Sequence, residues 1–139
     1  MEPFLIASTV NIIIAQRLVR RICIKCRASK EVNLRDGQVI DNLPREISAK
    51  YFGSSETARV YFGKGCEICH DTGYLGREGI YEVMLISDEI RDPIVKRLDA
   101  SKIQAIAITG GMKTMLENGI EKVKQGITTA EEVLRVTKE

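Results

Sequence analysis

The fold class is decided by the stretch Gly79-Ile80-Tyr81-Glu82-Val83-Met84-Leu85-Ile86. Its apolar residues form a nearly continuous run, which predicts a β-strand that is covered on both faces. Directly after this run the apolar pattern becomes helical. The sequence therefore predicts a mixed α and β fold, either α+β or α/β, in which the last strand is followed by helices.

Four helices are predicted after this strand. An N-cap hydroxyl satisfies a backbone N–H at the start of a helix, acidic residues favour that positive end, and glycine ends helices. The signals are Ser87-Asp88-Glu89 with Pro93 for the first helix, Ser101 and Gly110-Gly111 for the second, residues 113–125 before Gly126 for the third, and a capping box of Thr128 and Glu131 for the fourth, through Val136. These helices are expected to form a C-terminal helical subdomain.

The first half of the chain has weaker signals. Ser8 is a candidate N-cap for a short helix through Ala15. Residues 17–22 alternate imperfectly and predict a strand with basic residues at its exposed positions. Six of the seven aromatic residues lie between Tyr51 and Tyr81, which predicts a small core of their own. Turn signals in residues 27–59 are Asp36-Gly37, Asn42-Leu43-Pro44 and Gly53-Ser54-Ser55.

Composition places the chain among globular proteins. It has 139 residues, of which 44% are hydrophobic and 29% charged, and this length fits one domain or two small lobes. The net charge of +2 does not by itself indicate nucleic acid or lipid as a partner. No apolar run approaches the roughly 18 residues of a membrane-spanning helix, and no basic segment precedes the apolar N-terminus as in a secretory signal. The chain is predicted to be soluble and cytosolic, and its abrupt apolar start to belong to a piece of a longer protein.

All four cysteines lie in Cys-x-x-Cys pairs, Cys23-Ile24-Lys25-Cys26 and Cys66-Glu67-Ile68-Cys69. Two intervening residues let the chain turn so that both sulfur atoms of a pair face one ion, and two pairs complete the closed tetrahedral shell of structural zinc sites. The interval between the pairs exceeds the roughly 15–20 residues of a compact zinc ribbon and is long enough for a small subdomain. The sequence therefore predicts a structural Zn²⁺ bound by Cys23, Cys26, Cys66 and Cys69.

Other uses of these cysteines stay open. Disulfides would allow three pairings, although a cytosolic chain disfavours them, and a redox pair needs only one Cys-x-x-Cys, usually at the start of a helix. Cys66-x-x-Cys69-His70 matches the attachment pattern of c-type haem, which would require export and leave the first pair unexplained. His70 is the only histidine, so a His-based triad or a multi-histidine metal site cannot be built. It is expected to be a solvated residue beside the second pair.

Motifs for nucleotide hydrolysis are absent from the sequence. It contains no G-x-x-x-x-G-K-[ST] phosphate loop and no G-x-G-x-x-G fingerprint, and Gly63-Lys64-Gly65 is a glycine-rich turn before a cysteine. Residues 84–92 are similar to the apolar strand and acidic end of a magnesium-binding Walker B segment. An acidic helix start after a strand explains them better. The chain by itself is predicted not to be an enzyme and to have no catalytic or nucleotide-binding residues.

A basic run surrounds the first cysteine pair. Its members are Arg17, Arg20, Arg21, Lys25, Arg27 and Lys30, and no acidic residue interrupts them before Glu31. Beside a zinc site this run raises the alternative of a free-standing zinc-ribbon protein that binds nucleic acid. Residues 5–50 contain no aromatic side chain on which bases would stack. A solvated strand face or a subunit contact explains the run better, so nucleic acid is not the expected partner.

Several short motifs follow one another along the chain. They are Glu2-Pro3-Phe4-Leu5-Ile6-Ala7-Ser8, Ala15-Gln16-Arg17-Leu18-Val19-Arg20-Arg21-Ile22-Cys23 with Cys26, Gly65-Cys66-Glu67-Ile68-Cys69, Thr72-Gly73-Tyr74-Leu75-Gly76-Arg77, Gly79-Ile80-Tyr81-Glu82, Gly111-Met112-Lys113-Thr114 and Gly126-Ile127-Thr128-Thr129-Ala130-Glu131-Glu132-Val133. Together they resemble the traffic ATPases of type II secretion and type IV pilus assembly. The resemblance covers nearly the whole chain and is weakest in residues 28–59. It favours the secretion or pilus-extension branch, because retraction ATPases typically lack the cysteines.

The resemblance implies the C-terminal part of a hexameric, cytoplasmic ATPase at the bacterial inner membrane. That protein would use ATP and Mg²⁺ to assemble a pilus or pseudopilus against a membrane platform protein, with its phosphate loop, acidic boxes and histidine box upstream. Residues 1–22 would end a RecA-like motor core, residues 23–76 would form a zinc-binding insertion, and residues 77–139 would supply a final core strand and a helical lobe. The zinc site would clamp the insertion onto the core.

Overall fold

The computed structural model describes residues 2–35, 40, 43–53 and 56–138. Within them the elements are α1 (Pro3–Thr9), β1 (Ile12–Ile22), β2 (Arg27–Asn33), α2 (Arg45–Phe52), β3 (Thr57–Gly63), β4 (Tyr74–Leu85), α3 (Asp88–Val95), α4 (Ala100–Thr109), α5 (Met115–Lys124) and α6 (Ala130–Thr137). This order confirms the mixed α and β fold class. The predicted turn at Asp36-Gly37, and the parts of the other two turns at Asn42 and Ser54-Ser55, lie outside the described residues. None of the described helices is long and apolar enough to cross a membrane.

The strands of the described residues pair in two two-stranded sheets. β1 pairs with β4, and β2 pairs antiparallel with β3. In the second sheet Arg27 lies opposite Gly63. β2 begins directly after Cys26, and β3 ends shortly before Cys66. The antiparallel register therefore brings the two cysteine pairs to the same end of this sheet.

Contacts between residues divide the chain into two compact units. One unit comprises Met1–Gln16 with Tyr81–Met115, and the other comprises Arg17–Ile80 with Leu116–Glu139. The segments 1–22, 23–76 and 77–139 were defined above by their expected roles in a longer protein. The roles of these three segments in a longer protein stay a prediction.

The first unit has a small core between α1, α3 and α4. Arg91 Nε donates to the carbonyl oxygen of Ala7 over 2.8 Å, which joins α3 to α1. The buried members of the core are Ile86, Ile90 and Ala107, with Val10, Met84, Ile94, Ile103, Ile106 and Met112 packed against them. Every member of the core is aliphatic or a methionine, so the interior of this unit is stabilised by burial of apolar surface.

The N-terminal helix lies earlier than predicted. α1 spans Pro3–Thr9 and β1 begins at Ile12, so the helix predicted from Ser8 through Ala15 is wrong. Pro3 occupies the first turn of α1, where its fixed φ suits a helix and its missing N–H costs nothing. The three consecutive β-branched residues at positions 12–14 favour an extended chain. The strand predicted for residues 17–22 is confirmed as the second half of β1.

β4 is more exposed than predicted. It begins at Tyr74 instead of Gly79, and Ile80 is its one fully buried residue. Val83 and Leu85 are exposed, as are the isoleucines at positions 12–14 of β1. The prediction that this strand is covered on both faces is therefore wrong for the chain as it stands. The physical reason is that the described residues supply no layer over these side chains.

The second unit contains the larger core. Its buried members are Val32, Ile40, Leu43, Phe52, Ala58, Val60, Ile120, Val123, Ala130 and Val133. Ile40 and Leu43 come from the segment between β2 and α2, and the others come from β2, α2, β3, α5 and α6. Tyr51 and Phe52 join this mostly aliphatic core, while the ring of Tyr74 lies 4.1 Å from the Arg20 guanidinium. The aromatic residues therefore do not form the separate core that was predicted for residues 51–81.

The helices after β4 form close to their predicted positions. Ser87 is the N-cap residue of α3, which confirms the acidic helix start, and Pro93 lies inside that helix. α4 begins one residue before Ser101, because Asp99 accepts from the backbone N–H of Lys102 and caps it. α5 is shorter than predicted and is followed by Gly126, whose φ of 78° suits glycine.

The N-cap of α6 lies one residue later than the predicted capping box places it, and the Glu132 carboxylate binds Arg20 and Arg135. Thr129, not Thr128, accepts from the backbone N–H of Glu132. Thr128 instead donates its hydroxyl to the carbonyl oxygen of Arg20 over 2.8 Å. The sequence Thr128-Thr129 followed by Glu131-Glu132 offers two positions for the cap, and Thr129 takes that role while Thr128 contacts β1.

Candidate metal centre

The four cysteines come together at one end of the β2–β3 sheet. Their Sγ atoms all lie within 4.8 Å of one another. The Sγ–Sγ distances are 3.8 Å for Cys23 and Cys66, 3.8 Å for Cys26 and Cys69, and 3.6 Å for Cys66 and Cys69. Cys23 and Cys69 are buried, whereas Cys26 and Cys66 are half-buried. The two predicted pairs thus form one cluster.

The spacing of the sulfur atoms fits a tetrahedral metal ion. Zinc–thiolate bonds are about 2.3 Å long, so the corners of a regular tetrahedron of sulfur atoms are about 3.8 Å apart. The three distances of 3.8, 3.8 and 3.6 Å agree with that geometry. A disulfide requires an S–S distance of about 2.05 Å, and all four cysteines are free. The cluster can therefore hold a metal ion, and it is not a pair of disulfides.

Backbone N–H groups point at one sulfur atom of the cluster. The N–H groups of Cys66 and Gly73 both donate to Cys69 Sγ over 3.3 Å. His70 and Asp71 adopt φ values of 54° and 62°, which turn the chain sharply after Cys69. Asp71 then donates its N–H to the carbonyl oxygen of Cys66 over 2.8 Å and closes the turn. This tight turn, rather than the start of a helix, carries the second pair, which argues against a redox Cys-x-x-Cys.

The thiols differ in how easily they ionise. Burial disfavours the thiolate of Cys69, but the N–H groups of Cys66 and Gly73 outweigh it and lower the pKa of Cys69 to about 6. Burial raises the pKa of Cys26 to about 12, although the N–H of Gly65 opposes this. The two N–H groups thus favour the thiolate form of Cys69. A divalent cation bound to the four sulfur atoms would favour their thiolate forms.

Two glycines allow close passage of the chain beside the cluster. A Cβ atom at Gly63 would lie 2.1 Å from the carbonyl oxygen of Gly73. Gly73 also forms hydrogen bonds with both cysteine pairs. Its carbonyl oxygen accepts from the Cys23 N–H over 2.9 Å, and its N–H donates to Cys69 Sγ. Any side chain at position 63 would force apart the two segments that Gly73 holds together.

We expect Gly63→Ala to lower the free energy of unfolding by about 2 kcal/mol, because the added methyl group meets backbone that cannot rotate away. Gly110→Ala is the matched control, since its Cβ would meet carbonyl oxygens at 3.5 and 3.6 Å, an ordinary contact. Chemical denaturation of both variants gives the comparison. Equal stability of the two variants would contradict the close approach of Gly63 to Gly73.

Two members of the basic run have partners within the protein. Arg20 Nη2 lies 2.8 Å from the carboxylate of Glu132. Arg27 Nη1 donates to the carbonyl oxygen of Gly126 over 3.2 Å. Both side chains thus contact the segment around the start of α6, although they are exposed on the surface. These contacts do not favour the nucleic-acid alternative.

Sequence analysis missed the role of Glu132. Its side chain is only 1% exposed and accepts from the Arg20 backbone N–H over 2.9 Å, from Arg20 Nε and Nη2 over 3.0 and 2.8 Å, and from Arg135 Nη2 over 2.9 Å. A buried carboxylate is stable only with such partners. The available signal was the second Thr-x-x-Glu register in the sequence. Nothing in the sequence named Arg20 as its partner.

We expect the stability of the protein to fall as the pH decreases from about 4.5 towards 2. Burial disfavours the Glu132 carboxylate, but hydrogen bonds from Arg135 and Arg20 outweigh it and lower its pKa from 4.5 to about 2. A carboxyl group whose folded pKa is depressed contributes stability above its unfolded pKa, and this contribution disappears as the folded form takes up the proton. Unfolding free energies measured in chelator across this pH range test the prediction. Glu132→Gln should show a shallower slope, and an equal slope in both proteins would contradict it.

Comparison with known proteins places the chain in a family. The family model described as "Type II/IV secretion system protein" matches residues 1–135. The chain is 41% identical over 141 residues to the "Type IV pilus assembly ATPase PilB" of Thermus thermophilus, a match that covers 99% of this chain and 14% of that protein. It is 38% identical to the protein of the same name from Acinetobacter baylyi, covering 100% of this chain and 23% of that protein.

A relative from the secretion branch is similar to nearly the same degree. The "Type II secretion system protein E" of Pectobacterium carotovorum is 36% identical over 139 residues, which cover 100% of this chain and 25% of that protein. The chain thus spans between about a seventh and a quarter of the length of these curated relatives. The family match over residues 1–135 agrees with the resemblance found in the sequence motifs. The chain belongs to the family of type II/IV secretion system proteins.

Proposed function

We propose that Cys23, Cys26, Cys66 and Cys69 bind a structural Zn²⁺ ion. The observation that carries this proposal is the convergence of four Sγ atoms within 4.8 Å, from two Cys-x-x-Cys pairs far apart in the sequence. Tetrahedral four-sulfur sites are typical of zinc or of iron, and zinc is the usual ion of structural sites in proteins. A shell closed by four thiolates leaves no position for a substrate water. The role of the ion is therefore structural.

The chain is proposed to act as the C-terminal part of a longer ATPase that powers type II secretion or type IV pilus assembly. Relatives that bear the name ATPase support this proposal, as does the share of their length that the chain covers. In the parent protein, residues 1–22 would complete the motor core, residues 23–76 would form the metal-binding insertion, and residues 77–139 would add a core strand and a helical lobe. The exposed isoleucines at positions 12–14 and the exposed apolar residues of β4 are the surface that the rest of the core would cover.

ATP, Mg²⁺ and the partners of the machine belong to the parent protein in this proposal. It would form a cytoplasmic hexamer beside the inner membrane and work against a platform protein there. This chain would contribute structure and contacts, because its sequence has no phosphate loop. Expressed alone, it is expected not to hydrolyse ATP, whereas the longer protein that carries this segment is expected to do so. Hydrolysis by the isolated chain would contradict this division of roles.

Metal content tests the zinc assignment. Protein purified without a tag or chelator is expected to contain one zinc per chain by elemental analysis. Its thiols should react with a thiol reagent only after the metal is released. A metal-free protein with four freely reactive thiols would overturn the assignment.

A further inference from the structure

The linker between α5 and α6, residues 125–129, contacts the chain on both sides of the cysteine cluster. On the side of the first pair, Ile22 N–H donates to the carbonyl oxygen of Ile127 over 2.9 Å, and Thr128 Oγ1 donates to the carbonyl oxygen of Arg20 over 2.8 Å. Ile22 is the residue directly before Cys23. The linker therefore holds the strand that leads into the first cysteine pair.

The same linker also holds the strand that leaves the second pair. The hydroxyl groups of Tyr74 and Thr129 lie 2.9 Å apart in a hydrogen bond. Tyr74 directly follows Gly73, whose carbonyl oxygen accepts from Cys23 N–H and whose N–H donates to Cys69 Sγ. One short linker thus fixes both chain segments that position the four sulfur atoms.

Glu132, in the first turn of α6, holds the same two chain segments through Arg20. It binds both the backbone and the guanidinium of Arg20, three residues before Cys23. The guanidinium of Arg20 in turn lies 4.1 Å from the centroid of the Tyr74 ring. A single buried carboxylate therefore ties α6 to the strand entering the first pair and, through Arg20, to the strand leaving the second.

We propose that docking of α6 and metal binding at the cysteine cluster stabilise each other. Glu132 is in this view a positioning residue for the metal centre, which it supports without being a ligand. The proposal rests on the proposed zinc site. An ion that binds all four sulfur atoms fixes the last residues of β1 and the first residues of β4. These are the residues that Glu132 and the linker contact. A docked α6 in turn holds the sulfur atoms ready for the ion and lowers the ordering cost of binding.

Thermodynamic linkage requires the coupling to be reciprocal. A metal that favours the docked helix must be favoured by it to the same extent. Residues that support metal ligands from the outer shell typically change metal affinity by about 10- to 100-fold. Glu132 bonds to no cysteine and acts through Arg20, so we expect its effect on zinc affinity at the lower end of that range, about 10-fold.

Two measurements on the full chain test the coupling. The first is the affinity for Zn²⁺, by competition with a chromophoric chelator, of the unaltered protein, of Glu132→Gln and of Glu131→Gln. Glu131 is an exposed neighbour on α6, so its variant makes the same change in charge without entering the buried network. We expect Glu132→Gln to weaken zinc binding by about 10-fold and Glu131→Gln to leave it unchanged. The second is amide hydrogen exchange of residues 126–137 in the unaltered protein with and without zinc, which needs no variant.

Slower exchange of residues 126–137 on adding zinc, together with weaker binding by Glu132→Gln alone, is the result that supports the coupling. Zinc bound at one ion per chain, with equal affinity in all three proteins and unchanged exchange in α6, would overturn the coupling and leave the zinc site intact. Failure of the unaltered protein to bind zinc would overturn the proposed zinc site, and the coupling with it.

Discussion

Cys66→Ser is expected to lower zinc affinity by more than about 100-fold and to leave the purified protein with little bound metal. The hydroxyl of serine is a poor ligand beside a thiolate, and three sulfur atoms leave the tetrahedral shell open. Because the binding energy of a structural zinc ion is also folding energy, residues 23–76 should become less protected in amide hydrogen exchange. Elemental analysis and exchange measured on the same sample give both results.

Ile68→Ser is the matched control for this variant. Ile68 lies between the two cysteines of the second pair, and its side chain is 52% exposed. The substitution introduces the same hydroxyl into the same turn without removing a ligand. It should retain one zinc per chain. An unchanged zinc stoichiometry in Cys66→Ser would contradict the ligand assignment.

Glu132→Ala is expected to lower the free energy of unfolding by about 3 kcal/mol, the lower end of the roughly 3–5 kcal/mol for breaking a buried ion pair. The loss is large because the carboxylate is buried and accepts from the Arg20 backbone N–H and from two guanidinium groups. It stays at the lower end because the side chains of Arg20 and Arg135 are 49% and 55% exposed, so water can replace their lost partner. Thermal or chemical unfolding in excess chelator measures this effect separately from metal binding.

Glu131→Ala provides the comparison for charge and helix propensity. This residue is exposed in the same turn of α6. Its substitution should change stability by no more than about 0.5 kcal/mol. Similar losses for the two alanine variants would show that the network around Glu132 does not stabilise the fold as described.

Spacing along the chain predicted the features that depend on local chemistry. The two Cys-x-x-Cys pairs predicted one cluster because a turn of this length aims two sulfur atoms at a common point. Capping and glycine signals likewise predicted helices near Ser87 and before Gly126. Each of these signals depends only on residues a few positions apart, so it can be found in a single sequence without knowledge of the tertiary structure.

Features decided by tertiary contacts were not predictable in the same way. The cap of α6 was predicted at Thr128 but lies at Thr129, because the Thr128 hydroxyl donates to the carbonyl oxygen of Arg20, which is far away in the sequence. β2, α2 and β3 lie in residues 27–63, where periodicity is weak, because these short elements are held by the core of the second unit rather than by their own pattern. The apolar run of β4 predicted a strand that is buried on both faces. A run of apolar residues in one sequence does not identify the residues that pack over it.

X-ray absorption spectroscopy at the zinc edge of the purified chain tests the central claim most directly, because it identifies the metal and counts its ligands at once. The account predicts zinc with four sulfur neighbours at about 2.3 Å and no nitrogen or oxygen neighbour in the first shell. A shell with fewer than four sulfur atoms, or iron in place of zinc, would contradict a structural zinc site formed by Cys23, Cys26, Cys66 and Cys69.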